Sequence, residues 1–370
     1  MTLSPSRARL SLVSVSLLAL LTAACSQSNS ASSSSGGSSA GANAGAAVAT
    51  GAKPAPFSQG TVKVALVRQS GAGDFYEQWG SGAKAQAKAL GIDLTVYDAQ
   101  ADNAAEATDL STAISSGVSA IIIDHGFAAT VDPLINQAVA KGIKVVTFDV
   151  DSTNAKVVST EQSDADLAQD VLNVAEQDLG KSAKVGYVNV AGYPALDARD
   201  TVWQKVKTAE SWSQSFKVGE VTDSTATDNV PLVSAALLQH SDVAAVFAPY
   251  DELAKATVVA VQNDNLVGKV KVFGIDISNA DIQILTESNS PWVATAGTDP
   301  SSVGAAVVRS TALELAGQLG KTKVDFPGVA ITRQFLLDHK IKNMDQLRAA
   351  IPALNLSGIS TANWIPVVSH

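Results

Sequence analysis

The chain has 370 residues, 46% of them hydrophobic, and a formal net charge of −9 at pH 7. This length and apolar content suffice for two domains with ordinary cores. An acidic chain without a basic cluster argues against nucleic acid and against anionic membrane surfaces as partners.

The first 24 residues have the pattern of an export signal. Arg7 and Arg9 give a positive start, residues 10–21 form an apolar run too short to span a bilayer, and small residues precede Cys25. Cys25 is the only cysteine, and it stands where bacterial lipoproteins carry their acylated cysteine. We therefore predict a lipoprotein signal peptide over 1–24, lipidation at Cys25, and an extracytoplasmic protein that touches the membrane through its lipid alone.

Residues 25–60 are rich in Ser, Gly and Ala. Such a composition buries too little apolar surface to offset the entropy of ordering, so it predicts a flexible tether. The folded body is expected to begin at residue 61.

Short β-rich runs then alternate with helical patterns. The predicted strands are 62–67, 93–97, 120–124 and 144–149, and the predicted helices between them are 75–90, 103–116 and 131–141. Most strands are continuous apolar runs, such as Ile121-Ile122-Ile123. Continuous runs indicate burial on both faces, hence a parallel sheet with helices on either side.

The alternation of strands and helices begins again with a helix over 164–179. Strands are predicted at 184–190, 215–221, 243–248, 270–275 and 292–297, and helices at 195–211, 229–240, 252–263, 279–287 and 302–320. A last strand over 328–332 and a short helix capped by Asn343 follow, and the chain after 354 is predicted to be irregular. One sheet of this width would be unusual, so the fold class predicted is α/β with two doubly wound lobes facing a cleft.

The sequence at the start of the first helix predicts both a helix cap and a ligand-binding loop. Asp74 followed by Glu77 predicts a capping box, and the preceding loop 68–73 lies at the carboxyl end of the first strand, where ligands bind in open α/β sheets. A dinucleotide-binding loop would need a third glycine where Tyr76 stands. The four histidines show no metal-ligand spacing, so neither a metal nor a cofactor is predicted.

Acidic residues follow several of the predicted strands directly. Asp124, Asp149, Asp251 and Asp276 each occupy this position and are expected to point into the cleft. A carboxylate there can accept charge-assisted hydrogen bonds from ligand hydroxyls. Any one of them alone could equally be a helix cap or a solvated turn.

Aromatic residues near the strand ends complete the candidate site. Phe75 and Tyr76, in the first turn of the first helix, are expected to cover the apolar face of a sugar ring. Trp79 is expected in the core or at the rim. For Trp203 and Tyr250 in the second lobe, ligand contact and core packing stay open.

Over residues 62–332 the sequence resembles the ribose/galactose-type substrate-binding proteins of bacterial ABC transporters, which have the periplasmic binding protein type I fold. The matching stretches are Phe75-Tyr76, Ile121-Ile122-Ile123-Asp124, Val145-Val146-Thr147-Phe148-Asp149, Val246-Phe247-Ala248-Pro249-Tyr250-Asp251-Glu252 and Val272-Phe273-Gly274-Ile275-Asp276. The resemblance implies ligand contacts by Gln69, Phe75, Tyr76, Asp124, Asp149, Tyr250, Asp276 and Thr298, and Trp203 stays a further candidate from its position alone.

One position departs from that family. Where its members present an arginine at the start of a second-lobe helix, this chain has Asp197, with Arg199 two residues later. Both are kept as ligand-binding candidates. If Asp197 faces the ligand, the site is more acidic than a ribose site and suits an alditol. Pentose, hexose and polyol all stay open.

The resemblance also implies an organisation and a mechanism. Three crossings, near 159–163, 298–300 and 326–328, would form a hinge between an N-terminal lobe (61–162 plus 299–327) and a C-terminal lobe with tail (163–298 plus 328–370). A monomer would close on its sugar and deliver it to an ABC permease, without catalysis. A sensor for a membrane kinase is the alternative. A tethered carbohydrate-active enzyme is less favoured, because no nucleophile, metal set or cofactor loop accompanies the acids.

Overall fold

The protein is described here by a computed structural model over residues 49–369. The predicted signal peptide, Cys25 and most of the predicted tether lie outside these residues. Within the described range, no helix combines the length and the apolar character that crossing a membrane requires.

Strands and helices alternate along the chain. The first part contains β1 (Val62–Arg68), α1 (Asp74–Leu90), β2 (Ile92–Asp98), α2 (Asn103–Ser115), β3 (Ala120–Asp124), α3 (Ala128–Ala140), β4 (Lys144–Phe148) and β5 (Val158–Gln162). The middle contains α4 (Asp164–Leu179), β6 (Lys184–Val188), α5 (Pro194–Ala209), β7 (Ser213–Val218), α6 (Thr225–Gln239), β8 (Ala245–Ala248), α7 (Asp251–Asn263), β9 (Lys271–Ile275), α8 (Asn279–Thr286) and β10 (Trp292–Gly297). Then follow α9 (Pro300–Leu315), β11 (Lys323–Phe326), β12 (Val329–Thr332), α10 (Arg333–Asp338) and α11 (Met344–Ala350).

The strands of residues 49–369 form two six-stranded sheets. The N-terminal lobe has the order β11-β5-β4-β3-β1-β2, and the C-terminal lobe has the order β12-β10-β9-β8-β6-β7. Neighbouring strands are parallel except β12, which pairs antiparallel with β10. This confirms the predicted α/β class with two doubly wound lobes.

Successive side chains of β1 point to opposite faces of the first sheet, and both faces are covered by helices. Val64 and Leu66 pack into one apolar cluster with α1 and α9, while Ala65 and Val67 pack into another with α2 and α3. The sheet is therefore buried on both sides, as parallel sheets usually are.

Two glycines allow α9 to lie very close to α1. A Cβ on Gly82 would stand 2.0 Å from the backbone oxygen of Ser301, and one on Gly304 would stand 2.1 Å from that of Trp79. Because no other residue fits such a contact, this pair fixes α1 against the helix that returns from the second lobe.

The capping box predicted at the start of α1 is wrong. Gly73 is the N-cap and has no side chain to cap the helix, and the Asp74 N–H donates instead to Glu252 of the other lobe at 3.3 Å. Asp74 is instead the first helical residue, and its carboxylate binds Lys255 in the other lobe. The Asp74 side chain, which the local sequence pattern predicted to cap the helix, instead forms a long-range ion pair.

Two strands near the hinge were not predicted. β5 occupies much of the expected crossing at 159–163, and β11 was unassigned. Both are short and carry polar residues, so they lack the apolar runs of the central strands. The chain passes between the sheets at 162–164, 298–299 and 327–328.

Both ends of the described chain pack on the N-terminal lobe. The Phe57 ring lies 5.0 Å from that of Trp364, and the Thr50 and Gly51 N–H groups donate to the Asn363 carbonyl. Leu354 belongs to the core of the C-terminal lobe, whereas Leu356 belongs to that of the N-terminal lobe. The expected tether end at 60 is thus too late, and the tail, placed with the C-terminal lobe to residue 370, crosses back near 355.

Buried polar groups hold this tail in place. The guanidinium of Arg309 in α9 donates to the carbonyls of Leu356 and Ile359, and Gln86 in α1 donates to the carbonyl of Pro366. On the hinge side, Arg348 of α11 binds the buried carboxylate of Asp299 at 2.8 Å. The tail therefore forms a fourth connection between the lobes.

Candidate ligand-binding cleft

The carboxyl ends of the strands of both sheets face one narrow cavity. Its free volume is about 30 Å³, room for one or two water molecules, so the lobes must separate to admit a larger ligand. Its lining residues come from both lobes and the first crossing: Phe75, Tyr76, His125, Gln162, Tyr193, Ala195, Leu196, Arg199, Val221, Tyr250 and Asp276. The structure thus brings together five of the predicted contacts, namely Phe75, Tyr76, Arg199, Tyr250 and Asp276.

Asp276 and Arg199 form a buried ion pair in the C-terminal lobe. Asp276 directly follows β9 with a left-handed backbone, φ 78°. The guanidinium of Arg199 donates to its carboxylate at 3.0 and 3.3 Å, to Asp164 at 2.8 Å and to the Pro249 carbonyl at 2.7 Å. Burial lowers the pKa of Arg199, but Asp276 and Asp164 outweigh burial and raise it overall, so the guanidinium stays charged.

Gln162, at the first crossing, connects the acids of the two lobes. Its backbone N–H donates to Asp149 at 3.1 Å, and its side-chain amide donates to Asp276 at 3.3 Å. Thr298, at the second crossing, donates its hydroxyl to the Gln162 amide oxygen at 2.7 Å and so orients that amide. Thr298 acts on the cleft through Gln162 rather than lining it.

Asp149 is the counterpart of Asp276 in the N-terminal lobe. It directly follows β4, with φ 50°, and is 4% exposed. Its Oδ2 has no hydrogen-bond partner within the described residues, and the Nε2 of His125 lies 3.7 Å away. Burial, and then the charge of Asp164, raise the pKa of Asp149 well above its usual value. An unpaired, buried acceptor at this point is suited to a ligand hydroxyl.

Asp124 lies one layer behind the cavity. Arg68 donates to its Oδ2 at 2.6 Å, and the Nδ1 of His125 lies 2.8 Å from its Oδ1. Burial raises the pKa of Asp124, but Arg68 and His125 together bring it below its ordinary value. Asp124 is therefore a charged anchor that fixes the His125 ring, and His125 presents its other nitrogen to the cleft.

Aromatic rings form opposite walls of the cavity. Tyr76 of the N-terminal lobe lies 4.9 Å from the His125 ring and 6.3 Å from the ring of Tyr250 across the cleft. At another point the Phe127 and Tyr193 rings from the two lobes lie 4.5 Å apart. Burial above all raises the pKa of both Tyr76 and Tyr250, so their hydroxyls remain neutral.

An ion pair between the lobes flanks these rings. Lys255 of α7 binds Asp74 of α1 at 2.5 Å and is also close to Asp251, Glu252 and Asp281 of its own lobe. Burial lowers the pKa of Lys255, but these carboxylates, Asp251 first, raise it overall. Asp251, expected in the cleft, is instead a buried partner of Lys255.

Three other predicted contacts lie outside the cavity. Trp203 is in the core of the C-terminal lobe, with its ring 5.0 Å from that of Tyr187, because it occupies the inner face of α5. Asp197 is exposed and accepts hydrogen bonds from the Gly192 N–H. Gln69 is buried, with its backbone N–H donating to the Asp124 carbonyl. Between Asp197 and Arg199, it is Arg199 that lines the cavity.

Sequence reasoning missed six cavity residues. His125 follows Asp124 at a strand end already considered functional, and Gln162 lies in a predicted crossing, so the same rules could have found both. Tyr193 follows Gly192, the point at which the departure from the family was noted. No sequence signal distinguishes Ala195, Leu196 and Val221 from core residues.

A second concavity adjoins the first at Ala195. It is wide and open, and seven of its sixteen lining residues are acidic: Asp149, Asp151, Glu161, Asp164, Asp166, Asp197 and Asp325. No aromatic residue lines it, so it offers nothing to cover a sugar ring. Among residues 49–369 no group of His, Cys, Asp or Glu is arranged to hold a metal ion.

Two doubly wound lobes with a cavity between their strand ends define a bilobal binding protein. The family model described as periplasmic binding protein domain matches residues 64–319. This chain belongs to that family, whose members work outside the cytoplasm.

Individual relatives agree with this placement. The ribose import binding protein of Escherichia coli (strain K12) is 25% identical over 283 residues, which cover 76% of this chain and 93% of that protein. The ribose import binding protein of Bacillus subtilis (strain 168) is 28% identical over 207 residues, 55% of this chain and only 65% of that protein.

A solved structure is more similar in sequence. The 5-methylthioribose transporter solute binding protein from Thermotoga lettingae, in complex with 5-methylthioribose, is 37% identical. It superposes with a TM-score of 0.81, covering 85% of this chain and 98% of that one.

Proposed function

We propose that this chain is the solute-binding component of an ABC importer and captures a neutral sugar or sugar alcohol between its lobes. The observation that carries this proposal is the pair of buried carboxylates Asp149 and Asp276, one from each lobe, both held by Gln162. Carboxylates accept strong hydrogen bonds from ligand hydroxyls, and the Tyr76 and Tyr250 rings beside them can cover the apolar face of a sugar.

The candidate ligands follow from this chemistry and from the relatives. Ribose is the solute named for the Escherichia coli and Bacillus subtilis proteins, and 5-methylthioribose is the one bound by the Thermotoga lettingae protein. Hexoses and alditols present the same vicinal hydroxyls. All are neutral, which suits a cavity whose one cation, Arg199, is already bound to two carboxylates.

The proposed mechanism is closure of a monomer around the ligand. Contacts with groups of both lobes favour the closed state, so binding shifts the population toward the form that a permease recognises. The protein performs no chemistry on its ligand. Membership of a family of transport proteins supports this reading over catalysis.

We also propose that the mature chain is anchored by a lipid on Cys25 after removal of residues 1–24. Labelled palmitate supplied to a bacterium that produces the chain should appear on the wild type and be absent from Cys25→Ser. Equal labelling of both proteins would contradict the anchor without bearing on ligand capture.

A thermal-shift panel tests the capture of sugars. Ribose, 5-methylthioribose, hexoses and alditols are added in turn to the purified chain. A true ligand at about 100 times its Kd should add about 2.7 kcal/mol of stability. If no neutral polyhydroxylated compound raises the melting temperature, while a nucleobase, peptide or anion does, the proposed function is wrong.

A further inference from the structure

The polarity of the cleft changes along its length. In each sheet the strand order places β5, β4 and β10, β9 toward the hinge, and β1, β2 and β6, β7 toward the far edge. Residues that follow these strands line the cavity in the same order. The strand order therefore assigns each cavity residue to a hinge half or a far half.

The hinge half carries the hydrogen-bonding groups. Gln162 ends β5, His125 lies just after β3, and Asp276 follows β9. Arg199 comes from α5, but its guanidinium reaches this half by binding Asp276. Asp149, which follows β4 and lines the neighbouring concavity, borders this half through the Gln162 N–H, and its Oδ2 has no hydrogen-bond partner within residues 49–369.

The far half is mainly apolar. Phe75 lies in the first turn of α1 after β1, Leu196 in the first turn of α5 after β6, and Val221 after β7. Tyr250, after β8, stands between the halves, whereas Tyr76 after β1 and Tyr193 after β6 bring tyrosine hydroxyls to the far half. The Leu196 and Val221 side chains themselves offer no partner to a ligand hydroxyl that has left water.

We propose that the ligand is a sugar with a short apolar substituent at the end opposite its hydroxyl cluster. The hydroxyls occupy the hinge half, and an alkyl or thioalkyl group contacts Phe75, Leu196 and Val221. A thioether is favoured further because sulfur packs well against aromatic rings such as Phe75. This inference rests on the proposed function and narrows its ligand class.

Isothermal titration of matched sugars tests it. As furanoses, ribose, 5-deoxyribose and 5-methylthioribose share their ring hydroxyls and differ at carbon 5; 5-deoxyribose and 5-methylthioribose form only this ring, so their comparison is independent of ring form. The affinity should rise in that order, with 5-methylthioribose binding at least about 10-fold more tightly than ribose, the discrimination expected of an apolar pocket. Equal affinities, or a preference for ribose, would overturn the inference.

Two variants assign the preference to the far half. Val221→Thr keeps the side-chain shape and adds a hydroxyl, and Leu196→Asn adds a hydrogen-bonding amide. Each should reduce the ratio of the 5-methylthioribose and ribose affinities several-fold, chiefly by weakening 5-methylthioribose. The control Leu238→Ser, on the exposed face of α6, should leave both affinities unchanged. A ratio that stays constant in both cleft variants would refute the assignment.

The outcomes separate this inference from the proposed function. Binding of ribose or an alditol without preference for the substituted sugar removes the inference and leaves sugar capture intact. Failure of all three sugars and of the wider panel removes both. Melting temperatures of the variants, measured without ligand, show whether a loss of binding reflects loss of the fold.

Discussion

The two lobes present the same backbone feature to the cleft with different electrostatics. Asp149 and Asp276 each follow a central strand in a left-handed conformation, which few residues other than glycine, Asn and Asp adopt. Arg199 neutralises Asp276 with two hydrogen bonds, whereas Asp149 keeps one oxygen without a partner. Asp276 is thus paired within the protein, whereas Asp149 has an oxygen available to a ligand.

The two lobes also differ in how their buried acids further from the cleft are compensated. In the C-terminal lobe the buried acids Asp251 and Asp281 have the cation Lys255 at 3.5 and 3.4 Å, although none of their carboxylate oxygens has a hydrogen-bond partner in the described structure. In the N-terminal lobe the oxygens of the buried Glu106 likewise lack hydrogen-bond partners, and no cation of the described residues pairs with it. Glu106 is thus the least compensated of these acids, and the following variants test that asymmetry.

The largest effect is expected from Arg199→Met. The change leaves Asp276 and Asp164 buried without their cation, and losing one partner of a buried ion pair costs about 3–5 kcal/mol. Urea denaturation should show this loss, together with loss of sugar binding. Arg68→Met is the matched variant of the other lobe and should cost less, because Asp124 keeps His125. Equal losses would contradict the proposed difference between the lobes.

The next effect concerns pH and Glu106. Burial, and then the charges of Asp124 and Asp109, raise its pKa from 4.5 to about 8. Between these values the folded state binds more protons than the unfolded state, so stability falls as pH rises. At about 1.4 kcal/mol per pH unit, Glu106→Gln should gain about 2–3 kcal/mol over wild type between pH 5 and pH 7.

Urea titrations of both proteins at the two pH values measure this gain. Glu77→Gln, an exposed acid on α1, is the control and should follow the wild-type profile. Parallel profiles of the wild type and Glu106→Gln would show that Glu106 is already ionised at pH 5 in the folded protein.

Asp149→Asn separates ligand binding from stability. Burial raises the pKa of Asp149, so its ionised form is poorly compensated, and removing it should leave the melting temperature without ligand unchanged or higher. The sugar affinity of the variant should fall by about 10- to 100-fold, as expected for a lost hydrogen bond to a charged group.

Asp276→Asn provides the comparison for that variant. It should weaken binding as well, but it should also lower the melting temperature, because Arg199 loses a charged partner. If Asp149→Asn destabilises the unliganded protein as much as Asp276→Asn does, the two acids have the same structural role.

The smallest effect is expected from Asp74→Ala. Asp74 is partly exposed, and its ion pair with Lys255 joins the lobes beside the cavity. Exposed pairs contribute about 0.2–1 kcal/mol, so the affinity for a sugar should fall by about two- to fivefold, and less at high salt. A change confined to the unliganded melting temperature would show that the pair does not depend on closure.

The sequence predicted the parts of this protein that depend on local pattern. Apolar runs identified the central strands. Tyr250 and Asp276, just after such runs, and Tyr76, in the first turn of α1, all line the cavity, and their contact with a ligand stays a prediction. Their positions could be predicted because the end of a buried parallel strand fixes where the following residues lie.

The predictions failed where a contact with a residue distant in the sequence determines the position of a side chain. Asp74 does not cap α1 because Lys255, far along the chain, binds its carboxylate. Asp124 does not face the cavity because Arg68 and His125 use both of its oxygens. Trp203 lies in the core because α5 packs that face against its sheet. The sequence alone does not show which face of this helix is buried.

The returning tail has a mechanical consequence. Because Thr50 and Gly51 are bonded to Asn363 and both segments rest on one lobe, a pulling force applied through residues 49 and 369 would first load this clamp. The C-terminal lobe would carry no tension until the clamp opened. In a single-molecule stretching experiment, ligand capture should therefore leave the first rupture force unchanged and alter only the later ones.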